Sequence, residues 1–417
     1  MLIDRTQAEE AIIENFLNSD SLPNLLFPRE MREAAMAAFK EHGFPSRKRE
    51  SWHYTDLRNK LTRISSYSDD HNDGRPILPL ILGNVLFSVV NGKAVSNSVL
   101  PPVFCTPLAL SPSRALNILR DFSITNVISQ VNTAFASDGW RINVQKDVFL
   151  DNIIEIQNLQ NGGQSHTCFS VSVAEDSRAT ILERQLGDDQ ESFLSSVSDI
   201  DLAEGAEVLW IIIRERGILS TELNRFYARL DKGARLKLVI INAGLHLLRQ
   251  EVHIDLNGSR SDFQLRCINL LSGESHADTT MKIRHFARST TSKEMIRNIA
   301  TDTSCGVFQG MVQVLPTGQK TDAKMLCQSL ILSKDAECHA KPELDIFADD
   351  ILCGHGATFS TIDRNQLFYL MTRGLTFVQA KAVLVKCFIK EQIEGIGQED
   401  IEKALHGVLD HWLFLHL

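Results

Sequence analysis

The chain has 417 residues, enough for two or three domains at roughly 150 residues each. With 43% hydrophobic residues it can bury about three quarters of its unfolded surface and needs no disulfide or metal staples to fold. Lys and Arg number 43 against 52 Asp and Glu, so the net charge is −9 and the pI is near 5.8, which excludes a general nucleic-acid binder. The longest near-apolar stretch, Pro76 to Val90, is interrupted by Pro79 and Asn84 and is too short to span a bilayer. Met1 to Thr6 has no basic start or unbroken apolar run, so no signal peptide is expected. The eight cysteines include no CxxC pair. The expectation is a reduced, cytoplasmic protein with neither a nucleic-acid nor a membrane partner.

Residues 1–75 read as an N-terminal helical region. Thr6 and Glu9 form a capping box ahead of the stripe Ala8, Ile12, Phe16. A second helix starts near Pro28 and stops at Gly43, with Met31, Ala34, Ala35, Ala38 and Phe39 at helical spacing. The charged segment that follows, Gly43 to Leu57, reads as a surface turn pinned by Trp52 and Tyr54.

Residues 76–360 consist of short runs of Val, Ile, Leu and Thr between turns of Asp, Gly, Asn and Ser. One phrase recurs: Glu175-Asp-Ser-Arg-Ala-Thr-Ile-Leu182, Glu204-Gly-Ala-Glu-Val-Leu209, Lys232-Gly-Ala-Arg-Leu-Lys-Leu238, Asn257-Gly-Ser-Arg-Ser-Asp-Phe263. Its residues Ser177, Gly205, Gly233 and Ser259 are 28, 28 and 26 apart. Weaker echoes stand at Ser304–Val307 and Asp335–Cys338. A repeat of this length is one supersecondary unit that must stack on its neighbours. It contains no helix, which excludes leucine-rich and helical repeats, and it is shorter than the roughly 40 residues of a propeller blade. A coil of parallel strands, one turn per repeat, fits; an antiparallel sandwich with evenly spaced hairpins is the alternative.

Residues 361–417 are helical again. Asp363 and Gln366 can cap a short helix closed by Gly374. Phe377, Ala380, Leu384 and Phe388 make a stripe on a second helix ending near Gly395, and Ile401, Leu405, Val408, Leu409 and Trp412 make one on a third. These helices can cap the open end of the coil or form a docking module.

Enzyme signatures are missing: the chain has no GxxxxGK[ST], HExxH, GxSxG or GxGxxG. The adjacent carboxylates Asp349 and Asp350, read as strand neighbours, face opposite sides and share no site. The densest sulfur region is 305–358, with Cys305, Cys327, Cys338, Cys353, His339 and His355. In a coil, residues one turn apart stack about 4.8 Å apart, so distant cysteines can converge. Thiolate and imidazole suit iron and zinc, whereas a buried Cys is more often a small hydrophobe. Gly354 and Gly356 let backbone or a partner come close to His355.

Six motifs follow in order: Gly318-Gln-Lys-Thr-Asp-Ala323, Leu330-Ile-Leu-Ser333, Lys341-Pro-Glu-Leu344, Ala348-Asp-Asp350, Cys353-Gly-His-Gly-Ala-Thr358 and Leu367-Phe-Tyr-Leu370 with Arg373-Gly374. Together with Gly43-Phe-Pro, Glu50, Trp52, Tyr54-Thr55 and Leu57, they resemble the SufB/SufD family of iron–sulfur cluster assembly proteins, with the SufD form at 355–358. The resemblance implies a right-handed parallel β-helix between N- and C-terminal helical regions. It implies a non-enzymatic scaffold that pairs with a SufB-like paralogue and docks a SufC-like ATPase, with a transient iron–sulfur cluster at the subunit junction. It carries cluster contact to His355 and Cys353, with these two as iron ligands, and more weakly to Cys327. It carries ATPase docking to the helices bearing Phe368, Arg373, Gly374 and Phe388. An exposed edge strand also favours a homodimer of the isolated chain, and nothing in the sequence speaks for or against a flavin. The rival readings are a purely structural partner without metal contact and a β-helix enzyme acting on polysaccharide.

Overall fold

The computed structural model describes residues 5–18, 25–64, 77–95, 103–110 and 126–417. The first four residues, part of the signal-peptide expectation, lie outside the described residues. Helices α1 (Gln7–Leu17), α2 (Arg29–His42) and α3 (Leu57–Lys60) precede the strands. One sheet contains β1 (Val85–Val90), β2 (Lys93–Val95), β5 (Ile154–Gln160), β7 (Arg178–Gly187) and β9 (Glu207–Glu215). It continues through β11 (Arg235–Ala243), β13 (Asp262–Leu271), β15 (Thr291–Ala300), β17 (Asp322–Ile331) and β19 (Leu352–Thr361). The other contains β3 (Val103–Pro107), β4 (Asp138–Val144), β6 (Gly163–Val173), β8 (Ser192–Leu202) and β10 (Ser220–Leu230). It continues through β12 (Leu247–Leu256), β14 (His276–His285), β16 (Cys305–Val314) and β18 (Glu337–Ile346). Helix α4 (Val127–Phe135) lies between β3 and β4, and α5 (Arg364–Thr372), α6 (Phe377–Ile393) and α7 (Glu399–His416) end the chain.

From β4 onward the chain alternates between the sheets, and from β6 onward each strand pairs in parallel with the strand two before it. Arg178, Glu207, Arg235, Asp262, Thr291, Asp322 and Leu352 share one register row, in steps of 29, 28, 27, 29, 31 and 30 residues. This is a parallel β-solenoid with two strands per turn, the coil expected from the repeat. Its first end is closed by the antiparallel pairs β1·β2 and β3·β4.

The recurring phrase is the corner that leads into the odd-numbered strands. What repeats there is a left-handed backbone position, held by Asp176, Gly205, Gly233 and Arg260 at φ +52°, +72°, +67° and +62°. Sequence alignment put Ser177 and Ser259 in that place, one residue off, because the corner repeats a conformation rather than a residue type. The echoes at Ser304 and Asp335 lead instead into β16 and β18, on the other sheet.

The solenoid interior is divided. Near one corner it is apolar, with Ile181, Trp210, Leu238, Leu265 and Ile296 facing Phe226, Ile254, Ile283 and Val312. Toward the other corner it is polar. Glu222 accepts from Arg214 (3.1 Å) and Arg216 (3.0 Å), and all three are buried. Arg214 donates to Asn242 (2.9 Å), Asn242 to Asn269 (2.6 Å), Asn269 to Asn298 (2.7 Å) and Asn298 to Ser329 (3.1 Å), one rung per bond.

The helices cover the outer faces of the sheets rather than the end of the coil. Val385, Ile389 and Ile393 of α6, with Ile401, Leu405, Leu409 and Trp412 of α7, pack on Ile211, Ile213, Val239, Ile241, Ile268, Leu270 and Ile299. Central odd-numbered strands are thus buried on both faces, which is why Leu209 to Ile213 reads as an unbroken apolar run. The α7 stripe is the expected one, but the buried side of α6 is turned by about one position. Phe377 is 55% exposed and the sheet receives Val385 and Ile389. Helix α6 has two apolar sides, and the flat sheet takes the β-branched one.

Capping also follows expectation, with the Thr6–Glu9 box on α1 and Asp363 accepting from Asn365 and Gln366 at the start of α5. The segment after α2 is more than a surface turn. Trp52 is buried with the Arg249 guanidinium 4.2 Å over its ring, and Thr55 bonds to His276 and Asp278 of β14.

Removing one partner of a buried pair leaves the other charge uncompensated. Arg214→Ala is expected to lower the unfolding free energy in urea by about 3–5 kcal/mol. Arg235→Ala, which breaks an exposed pair with Glu207, should cost less than about 1 kcal/mol.

Candidate functional site

Among the described residues, the solenoid ends on a rung with no strand above it. β18 and β19 are the last strands of their sheets, so each has one unpaired edge. Side chains that face the interior in every earlier rung are therefore uncovered here. Cys353 stands in register with Ala323, His355 with Met325 and Ala357 with Cys327, and Ala323, Met325 and Cys327 are all core residues. Cys353 and His355 thus share the inward face of β19, Cys353 half-buried and His355 exposed. Gly354 and Gly356 occupy the opposite face of the strand, and Gly354 has no neighbour that a Cβ would meet. Exposed Leu352, Phe359, Ile346 and Phe347 surround this end. Asp349 and Asp350 lie exposed in the turn before β19 rather than on a strand.

Cys327 lies one rung deeper and is 1% exposed, with the Asn298 amide 3.7 Å from its sulfur. The polar ladder therefore reaches the sulfur-bearing end of the solenoid. Cys338, inward-facing on β18, shares Ser329 with Cys327 as a hydrogen-bonding neighbour. Burial raises the pKa of all these thiols: Cys327 is pushed up to about 12, and Cys338 and Cys353 are also raised. They are protonated in the free chain, and binding of a soft metal must displace the proton.

Under Met325 in the same inward column stands Glu294. Neither of its carboxyl oxygens has a well-formed hydrogen bond, and burial, eased by Ser292, raises its pKa to about 8. In sequence it is part of Ser292-Lys-Glu-Met295 and looks like a solvated residue. Only the strand register, which sets it between Leu265 and Met325, reveals its position.

On the outward face of the even-numbered sheet, Cys305, Glu337 and His339 place their ligand atoms within 4.8 Å of one another. Sequence reading singled out Cys305 and His339 but missed Glu337. The pairing Cys305↔Glu337 spans 32 residues, and no local spacing signals it.

The residues expected to dock a partner divide into two groups. Phe368 is 69% exposed on α5, and the Arg373 guanidinium sits 5.1 Å over the Tyr369 ring, with Gly374 closing the helix at φ +97°. Phe388 is instead partly buried against the sheet, with the Arg297 guanidinium 4.9 Å over its ring.

The chain is thus a parallel β-solenoid with a sulfur- and imidazole-bearing last rung and helices on its flanks. Residues 155–388 match the SufBD core domain of SUF system FeS cluster assembly, and residues 14–67 match the SufBD protein N-terminal region. The chain belongs to the SufBD family. It is 25% identical to the iron–sulfur cluster assembly protein SufD of Escherichia coli over 87% of this chain and 88% of that one. It is 24% identical to the chloroplastic protein ABCI7 of Arabidopsis thaliana over 93% of this chain and 86% of that one. A SufBD family protein of Synechocystis is 30% identical over 52% of this chain and 48% of its own. Among the described residues no helix is long and apolar enough to cross a membrane.

The pKa of Glu294 in the folded chain lies above its ordinary value near 4.5. The folded state therefore keeps a proton that the unfolded chain has lost, and the stability it contributes at low pH declines as pH rises from about 4.5 to 8. At ~1.4 kcal/mol per pH unit, the loss is at most roughly 5 kcal/mol. Thermal unfolding of Glu294→Gln and the parent chain should nearly coincide at pH 5, and the variant should be the more stable at pH 8.5. A constant difference across that range would place the proton elsewhere.

Proposed function

We propose that this chain is the SufD-type scaffold subunit of a SUF-type complex, pairing through its open rung with a SufB-type subunit and docking a SufC-type ATPase on its C-terminal helices. The observation that carries the reading is the uncapped inward face of β19, where Cys353 and His355 stand at an unpaired sheet edge. Such an edge is a template for a further strand, and a second subunit covering it would enclose both side chains. The nascent iron–sulfur cluster is the cargo of this site. Thiolate from Cys353 and neutral imidazole from His355 would supply part of its ligands and the partner the rest. Cys327, one rung below, would be reached only after the last rung moves.

The exposed side of α5 and α6, with Phe368, Tyr369, Met371, Phe377 and Val378, supports docking of a partner there. A pull on α6 acts on β13 and β15. Arg266 holds the Glu394 carbonyl at 2.7 Å, and Arg297 reaches Glu391 at 3.3 Å. ATP-driven closure of the docked subunits would thus reach the strands beneath the cluster site, and this chain itself would catalyse no reaction. All eight cysteines are free, which supports a reducing, cytoplasmic setting. The second reading, a purely structural partner, draws on the raised thiol pKa values.

Co-expression with a SufB-type chain and a SufC-type ATPase, followed by size exclusion and an anaerobic visible spectrum, tests the proposal. One stable complex with broad iron–sulfur absorption is expected, with the absorption reduced several-fold by His355→Ala and ATPase retention lost in Phe368→Asp. A complex whose spectrum ignores both His355→Ala and Cys353→Ser would leave only the structural reading, and no complex would overturn both.

A further inference from the structure

The cluster on the outward face of β16 and β18 has the composition of a metal site. Cys305 and Glu337 are register partners, and His339 is the next outward residue along β18. With the thiol ionised, the sulfur, carboxylate and imidazole carry two negative charges. That matches a divalent cation of borderline softness. Their ligand atoms already lie within 4.8 Å of one another. Donors about 2.0–2.3 Å from a tetrahedral zinc ion stand roughly 3.5 Å apart, so side-chain rotations of about an ångström complete the set.

A second observation comes from His276, the register partner of Cys305 on β14. It is 3% exposed and its Nδ1 has no hydrogen-bond partner. The Thr55 hydroxyl gives its one proton to Asp278, so at 2.9 Å His276 must donate Nε2–H to the Thr55 oxygen. The imidazole is thus fixed in the tautomer whose Nδ1 carries a bare lone pair, the form that binds metal. Its backbone stands one strand spacing, about 4.8 Å, below that of Cys305, and its ring nitrogens lie outside the set formed by Cys305, Glu337 and His339. A stacked ring orients His339 as well: Tyr54 lies 5.2 Å from it with the planes at 22°.

We infer that Cys305, Glu337 and His339, with His276 as the fourth donor, bind one divalent transition-metal ion of the zinc or iron(II) class where the N-terminal segment meets the solenoid. On binding, the Cys305 thiol proton leaves to solvent. The site is separate from the proposed cluster site and does not rest on that reading. Cys353 and His355 face inward on the other sheet, whereas these residues face outward.

Anaerobic titration of the chelator-treated full chain with Co²⁺, then competition with Zn²⁺ and Fe²⁺, tests the inference. The expected result is saturable one-to-one binding with a thiolate-to-cobalt charge-transfer band that Zn²⁺ displaces. Cys305→Ser should abolish the band. His339→Gln, Glu337→Gln and His276→Ala should each weaken binding by at least the ~10-fold that loss of a supporting partner costs. The double variant Cys353→Ser, His355→Ala should bind as the parent does. Glu337 and His339 are solvent-accessible, so their variants keep the assay meaningful should His276→Ala unfold. Absence of saturable binding would overturn the inference, as would a band unaffected by Cys305→Ser or one lost in the Cys353/His355 double variant.

Discussion

The structure depends on in-register stacking of parallel strands. Once each turn is locked to the one below it, every inward side chain must lie on the inward side chain of its neighbour, and the interior becomes a set of columns. An apolar column satisfies itself. A polar column is best satisfied member by member through the next, because the strand spacing of about 4.8 Å leaves no room for water between rungs and an unpaired buried group is costly. The series Arg214, Asn242, Asn269, Asn298 and Ser329 meets that condition. Each Asn accepts from the rung below and donates to the rung above. The arrangement also resists slippage. A one-residue shift would set the amides against the outward apolar positions and expose Ile211 and Val239 to the wrong layer.

The same constraint explains why the candidate site is at an end. A position that repeats along a column is core in every rung that has a neighbour above it and surface in the one that has not. Glu294, Met325 and His355 are three successive members of one column. The first is an acid kept neutral by burial, the second is core and the third is exposed. No loop or cleft is needed to present His355, since ending the stack suffices. Among the described residues no helix closes that end. Helices α6 and α7 pack one apolar side on the flank of the odd-numbered sheet, so the last rung stays uncovered.

The coil was legible in the sequence because its corner recurs at nearly constant spacing and because no helix interrupts the strands from β4 to β19. Helix starts at Thr6 and Asp363 were legible from local capping chemistry, and the α7 stripe from its period. The rest depended on information absent from any single window. The left-handed corner position is shared by Asp176, Gly205, Gly233 and Arg260, three residue types with one conformation. The face of α6 that the sheet would take could not be chosen from a helix apolar on two sides. The burial of Glu294 and the meeting of Glu337 with Cys305 follow from pairings 29 to 32 residues apart, which acquire meaning only once the register is known. Cys353 and His355 stood out earlier because they lie two apart on one strand between glycines, a local pattern.

The two-sided character of α6 connects this history to the proposed function. A helix that only covered a sheet would be polar on its outer side. Instead Phe377, Val378 and Val383 remain exposed while Val385, Ile389 and Ile393 are buried, and α5 beside it buries no residue. Exposed apolar area of this kind fits the docking surface of the proposed function. Because the inner side of α6 is fixed to β13 and β15 through Arg266 and Arg297, force applied to the outer side cannot be absorbed by the helix alone. Under the proposed function it would pass to β13 and β15, and β15 carries Asn298, two rungs below the open end and beside Cys327, one rung below it. Coupling between docking surface and site would therefore, under that function, be a property of the packing: the helix that presents the outer apolar face is the one clamped to the strands beneath the open end.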